Sequence, residues 1–265
     1  VFREWLEISK ESRGEANQET IRLRELLVNS LNKQKKYSEA EAVFREWLEI
    51  SKESRGEGHA ITIDFATALI HNLFNMKKYR DAEAASRKWL EISKGSLKNE
   101  HVSTIFLASW LGYTLCLQEN YEEAERVFRQ WLDVSKKYYG EEHYLTIDLS
   151  SAIGWALNGQ KKYSEAEKIL VPCYKISNSE DYGEYYKTTS AWWLGESLFR
   201  QGKYALAEEP LIYSFNNSSD VRIGGDPIQP KVARLLIELY VAMNKPEEAQ
   251  KYRDILEEQK IGDPE

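Results

Sequence analysis

Cysteine is nearly missing from this chain: Cys116 and Cys173 are the only two in 265 residues. Two thiols cannot build a disulfide framework, which favours a reducing, cytoplasmic setting. Proline (6) and glycine (14) are too scarce for a loop-rich sandwich or a collagen-like segment. No apolar run approaches the roughly 18 residues of an ordinary transmembrane helix, so no membrane span is expected. A basic excess is absent too. Lys and Arg number 36 against 43 Asp and Glu, for a formal net charge of −7, which argues against a nucleic-acid partner. No HExxH, GxSxG, CxxC or kinase signature occurs. The expectation is therefore no enzyme, no metal and no cofactor. What the chain does have is 42% hydrophobic residues, enough to bury a core.

That apolar material is periodic. VFREWLEISKESRGE at 1–15 recurs unchanged at 43–57, an offset of 42. Tyr37, Tyr79, Tyr121, Tyr163 and Tyr204 mark the period with spacings of 42, 42, 42 and 41, and Pro246 takes the next place 42 further on. Self-similarity at this length signals stacked supersecondary units. Within a unit, Phe65, Ala66, Leu69, Ile70 and Leu73 lie at helical spacing, as do Ala82, Ala85 and Trp89. A short polar turn, Asn75 to Lys78, separates the two sets.

The pattern predicts an all-α, right-handed α-solenoid of about six helix-turn-helix repeats plus a leading half repeat. The helices are expected at 1–10 and in pairs near 18–34/37–53, 60–76/79–94, 101–118/121–137, 143–160/163–178, 184–201/204–217 and 228–243/246–259. The repeat units are thus near 18–53, 60–94, 101–137, 143–178, 184–217 and 228–259, in one array over 1–265. One helical pair cannot bury both of its apolar faces, so each must lean on a neighbour. Ala40, Ala82, Ala124, Ala166, Ala207 and Ala249, three places after each marker, are small enough to let two helix axes approach closely.

YSEAEAVFREWLEISKESRGEGH and YEEAERVFRQWLDVSKKYYGEEH resemble tetratricopeptide repeats in the long form found in kinesin light chains. The resemblance covers essentially the whole chain and is specific for fold. It departs at Val28, Ile70 and Ile237, where the family has a small residue, and at Trp47, Trp89 and Trp131, where the family has Ala. The resemblance implies that the first helix of each pair lines a concave inner surface, where an extended peptide or a partner helix lies. Carried onto this register, the partner-binding candidates are Asn29, Lys33, His71, Asn75, Phe106, Trp110, Tyr113, Trp155, Trp192, Trp193, Glu196, Arg200 and Arg234. Trp110, Tyr113, Trp155, Trp192 and Trp193 form an aromatic-rich wall, the residue class that dominates binding hot spots. A carboxylate clamp is not expected: Asn29 fits it, but Glu25 stands where it needs Lys.

The expected function is a protein-interaction scaffold with a protein or peptide partner. The alternative is a regulatory or assembly array of a larger enzyme, such as a kinase or protease. The apolar Val1, Phe2, Trp5 and Leu6 at the start agree with a place in a longer protein. Other patterns have plainer readings. His59, His101 and His143 recur 42 apart and are read as loop contacts of the repeat. Stacking sets the outer two roughly 16–20 Å apart, too far to share a zinc ion bound at about 2.0–2.1 Å. Thr20, Thr62, Thr104 and Thr146 are read as helix caps or early-turn hydrogen bonds. The pairs Lys35/Lys36, Lys77/Lys78 and Lys161/Lys162 would line up as a basic stripe, read mainly as a solubility feature and otherwise as a site for an acidic partner. GWALNGQK at 154–161 lacks the GK[ST] ending and the strand context of a phosphate-binding loop.

Overall fold

The computed structural model describes residue 20, residues 22–23, 26–27, 30–31 and 34, and then residues 36–179 and 183–261. The described residues within 20–31 are helical. Then come α1 (Tyr37–Arg55), α2 (Ala60–Asn75), α3 (Tyr79–Ser96), α4 (Val102–Leu117), α5 (Tyr121–Tyr139), α6 (Tyr144–Gly159), α7 (Tyr163–Ser179), α8 (Glu184–Arg200), α9 (Tyr204–Asn216), α10 (Gln229–Ala242) and α11 (Pro246–Ile261). The protein is an all-α repeat solenoid of consecutive helix-turn-helix pairs. It divides into two compact units, separated between Thr114 and Leu115. The expected first helix at 1–10 lies outside the described residues.

One departure interrupts the helices. Between α9 and α10, Arg222–Ile223 (β1) and Asp226–Pro227 (β2) pair antiparallel. Gly224 and Gly225 join them, both at positive φ (62° and 80°), as a tight two-residue hairpin demands. Ile223 is buried, which anchors the hairpin on the fold.

The two helices of a pair are buried differently. In α5 the buried residues are Ala124, Phe128, Trp131 and Ser135, one stripe at spacings of four, three and four. In α6 nearly every residue from Leu145 to Asn158 is buried, leaving Ser150 and Trp155 half open. Second helices thus present one apolar face, whereas first helices are covered on almost all sides. The marker alanines Ala40, Ala82, Ala124, Ala166, Ala207 and Ala249 are all fully buried.

Close approach explains the small residues of the first helices. A Cβ added to Gly154 would stand 2.4 Å from the Leu170 side chain, and one added to Gly195 would stand 2.5 Å from Leu211. In the register, the place opposite Ile70 holds Ser86, itself fully buried, where Leu170 and Leu211 stand in the later repeats. Bulk has moved from one helix to the other, and this accounts for the departure at Ile70.

The turn inside each pair has one geometry. Lys77, Glu119, Lys161, Gly202 and Asn244 all have positive φ, 60°, 62°, 62°, 76° and 57° in turn. Around Lys77, the Lys78 amide donates to the Leu73 carbonyl (3.0 Å) and the Lys77 amide to Phe74 (3.1 Å). The other four turns repeat both bonds, so each first helix ends in a Schellman motif with a left-handed residue.

The turn between pairs reverses the expected roles of His and Thr. His59, His101 and His143 are the helix caps. Each Nδ1 accepts from the backbone amide two residues on, at 3.2, 3.2 and 3.3 Å. The threonines reach back to the preceding second helix: Thr62 to Ser51 (2.7 Å), Thr104 to Ser93 (2.5 Å) and Thr146 to Ser135 (2.8 Å), all buried. Thr104 and Thr146 also donate to the loop carbonyls of Lys98 and Gly140. Their hydroxyl protons are thereby committed, so Ser93 and Ser135 are the donors. Thr20 is fully buried.

Two predictions follow from this packing. Gly154→Ala should lower stability by about 1–3 kcal/mol through overpacking. Combined with Leu170→Ala it should cost less than the two single changes together, read by denaturant melts; additive costs would refute the contact. The second concerns His143, whose pKa burial lowers from the usual 6.5. Because the folded value is depressed, its contribution is full above 6.5 and is lost as pH falls through the folded pKa. His143→Asn keeps a capping side chain that does not titrate. It should therefore lose less thermal stability than the unaltered chain between about pH 7 and pH 5.

Candidate functional site

In the first unit, α2 and α4 carry an aromatic cluster. The His71 ring is exposed and stacks on Trp110, centroids 4.7 Å apart and planes 25° apart. Phe74 and Tyr113 meet the same indole edge-on at 5.2 and 5.8 Å. Trp110, Asn75 and Phe106 are half-buried. Tyr113 is buried and supports Trp110 from within, so it does not line the surface as expected. The protein atoms crowding His71 lower its pKa even though the ring stays open to solvent, which favours neutral imidazole. Asn29 and Lys33 lie outside the described residues.

In the second unit, the face is built on α6, α8 and α10. Trp193, 1% exposed, is the hidden member and not a surface anchor. Trp155 stacks on it at 5.4 Å and 9°, and Trp192 at 6.1 Å and 27°. The Trp193 carbonyl accepts from Asn158 Nδ2 of α6 at 2.8 Å, which fastens α8 to α6. Trp155 and Trp192 are half-buried and held in place by the ring beneath them.

Along α8, Trp192, Glu196 and Arg200 follow at intervals of four and share one stripe. Arg200 donates to Glu238 of α10 at 2.9 Å and its guanidinium lies 5.0 Å from the Phe199 ring, so this candidate is already engaged. Glu196 is half-buried, and burial raises its pKa; Arg200 opposes that shift and Glu238 adds to it. Arg234 is exposed.

At the other end of α6, His143 stacks between Tyr139 (4.6 Å) and Tyr144 (4.4 Å), and Tyr144 meets Tyr186 of α8 at 6.2 Å. The buried Asp148 lies one turn after Tyr144. Tyr144, Asp148 and Tyr186 were not among the expected residues, although Asp148 stands one 42-residue repeat after the candidate Phe106.

Two other candidates resolve into structural roles. The second lysine of two turn pairs reaches back to a glutamate of the preceding repeat, Lys78 to Glu41 (2.7 Å) and Lys162 to Glu125 (3.7 Å), continued by Lys203 to Glu167 (2.5 Å) and Lys245 to Glu208 (3.4 Å), whereas Lys36 pairs with Glu39 of its own helix (3.7 Å). The charges of these second lysines are thus shared within the fold. Cys116 and Cys173 are buried free thiols, and burial pushes the Cys173 pKa up to about 12, away from thiolate chemistry. Among the described residues, no helix is long and apolar enough to cross a membrane, and no group of three or more His, Cys, Asp or Glu is placed to hold a metal.

Comparison with known proteins agrees with this architecture. Family models described as tetratricopeptide repeat match residues 103–179 and 20–61. No curated protein matches the chain. The nearly identical repeats of a putative kinesin light chain from Podosopora anserina superpose with a TM-score of 0.62 at 16% identity, over 75% of this chain and 94% of that one. BtubC from P. vanneervenii gives 0.68 at 14% identity, over 82% and 86%. A Rap protein complexed with competence and sporulation factor gives 0.64 at 14% identity, over 98% and 84%. Stacked 42-residue hairpins and the matching models thus show tetratricopeptide repeats in this chain over 20–61 and 103–179, in a fold similar to that of the kinesin light chain repeats.

Proposed function

We propose that this chain is a protein-interaction scaffold that holds an extended segment or a helix of a partner against the first-helix face of its second unit. One observation carries the reading: Trp155 and Trp192 are half-exposed indoles locked by the buried Trp193 between them. Rings held this way bury large area on contact and lose little rotamer freedom, the property that makes tryptophan a binding anchor. Second helices spend their apolar stripe on packing, while first helices keep this strip open. A structural neighbour complexed with competence and sporulation factor supports a recognition role for such a fold. The first unit offers a smaller face of the same kind around His71 and Trp110.

Peptide binding to the full chain, followed by intrinsic tryptophan fluorescence, tests this. Trp155→Ala and Trp192→Ala should each weaken binding by about 2 kcal/mol or more without unfolding the protein. Trp193→Ala should instead lower stability by about 3–5 kcal/mol. Unchanged affinity in both surface variants would refute the proposal.

A further inference from the structure

The register gives the open strip of the second unit a chemical direction. The place eight residues before each turn marker holds Trp155 on α6, Glu196 on α8 and Glu238 on α10. An aromatic side chain is thus followed, in successive repeats, by two carboxylates. Glu238 is already paired with Arg200 at 2.9 Å. Glu196 makes no hydrogen bond or ion pair among the described residues, although it is half-buried and sits one helical turn from the Trp192 indole. Arg234, the other charged candidate on the face, is exposed and keeps its hydration. Arg200, one turn further on, favours its charge but gives its hydrogen bond to Glu238, so Glu196 has lost part of its water without a hydrogen-bonded partner and has the most to gain from a ligand.

We infer that this face selects an extended segment carrying a lysine or arginine, seated on Glu196, next to an apolar side chain that covers Trp155 and Trp192. The inference rests on the reading of this face as the docking surface. It adds the charge of the partner, which the aromatic rings alone leave open. The cation would replace the water that Glu196 has lost, and Trp192 beside it offers a ring face to the same cation or to the stem of its side chain. An acidic residue at that place would meet Glu196 and the ion-paired Glu238 and be rejected.

Selection from a randomised nonamer library on the full immobilised chain, read by sequencing, tests the inference. The enriched pool should carry Lys or Arg beside Leu, Phe or Trp, and selection on Glu196→Gln should lose the basic preference. An enriched peptide with its Arg replaced by citrulline should bind about tenfold more weakly to the unaltered chain. It should bind Glu196→Gln about as well as its Arg parent does. Glu196→Asp, which keeps the charge, should retain the preference for Arg. Enrichment without basic preference, or equal binding of the Arg and citrulline peptides, overturns the inference and leaves the docking face standing. No enrichment of any peptide overturns both.

Discussion

Everything in this fold depends on how near one helix axis can come to the next. The six marker alanines are buried to zero exposure, and at Gly154 and Gly195 even a methyl group would collide with a leucine of the following helix. Apolar burial drives the stacking, at roughly 25 cal/mol per Å² removed from water. The size of the residue at each contact decides whether that area can be buried at all. Volume is conserved across the contact and not at either position: glycine faces leucine in the later repeats, whereas Ile70 shares its register with the fully buried Ser86.

Close stacking then sorts the side chains by helix. First helices are enclosed by their own second helix and by adjacent repeats, so their sequences become nearly continuous runs of buried residues. The few places left open are free of packing constraint. This is why one register place holds residues as different as His71, Trp155, Glu196 and Glu238 along the chain, with Tyr113 alone of that series buried. Polar groups that the stacking buries are handled by repeated devices. Serine and threonine hydroxyls bridge successive helices, capping histidines hold the first-helix amides, and turn lysines reach back to glutamates. The ion pairs are surface pairs, each worth about 0–1 kcal/mol. The hydroxyl pairs matter more, because an unpaired buried hydroxyl costs about 1–3 kcal/mol.

The helices were legible because the repeat fixes their phase. The second helices begin at Tyr37, Tyr79, Tyr121, Tyr163, Tyr204 and Pro246, the residues that mark the period. The hairpin at 222–227 was overlooked because two-residue strands leave no alternation to read; Gly224-Gly225 directly after the β-branched Val221 and Ile223 was its available signal. Periodicity places a residue at a helix start without telling whether its hydroxyl turns to its own amides or to the helix before, so Thr104 was read as a cap when His101 is the cap. The site was less legible for a related reason. Trp110 and Trp193 occupy the same register place, yet one is half-open and the other buried, because their neighbours differ: His71 and Tyr113 around the first, Trp155 and Trp192 around the second. Spacing locates a ring on a helix, and the surrounding rings decide whether it meets solvent.

The central claim is that packing hides four of the seven described tryptophans and leaves the other three at the surface. Oxidative footprinting of the indoles, resolved by peptide mass spectrometry on the folded chain, measures this directly. Trp110, Trp155 and Trp192 should be modified first, with Trp47, Trp89, Trp131 and Trp193 protected until the chain unfolds. Protection of Trp155 and Trp192, or modification of Trp193 at their rate, would contradict the account.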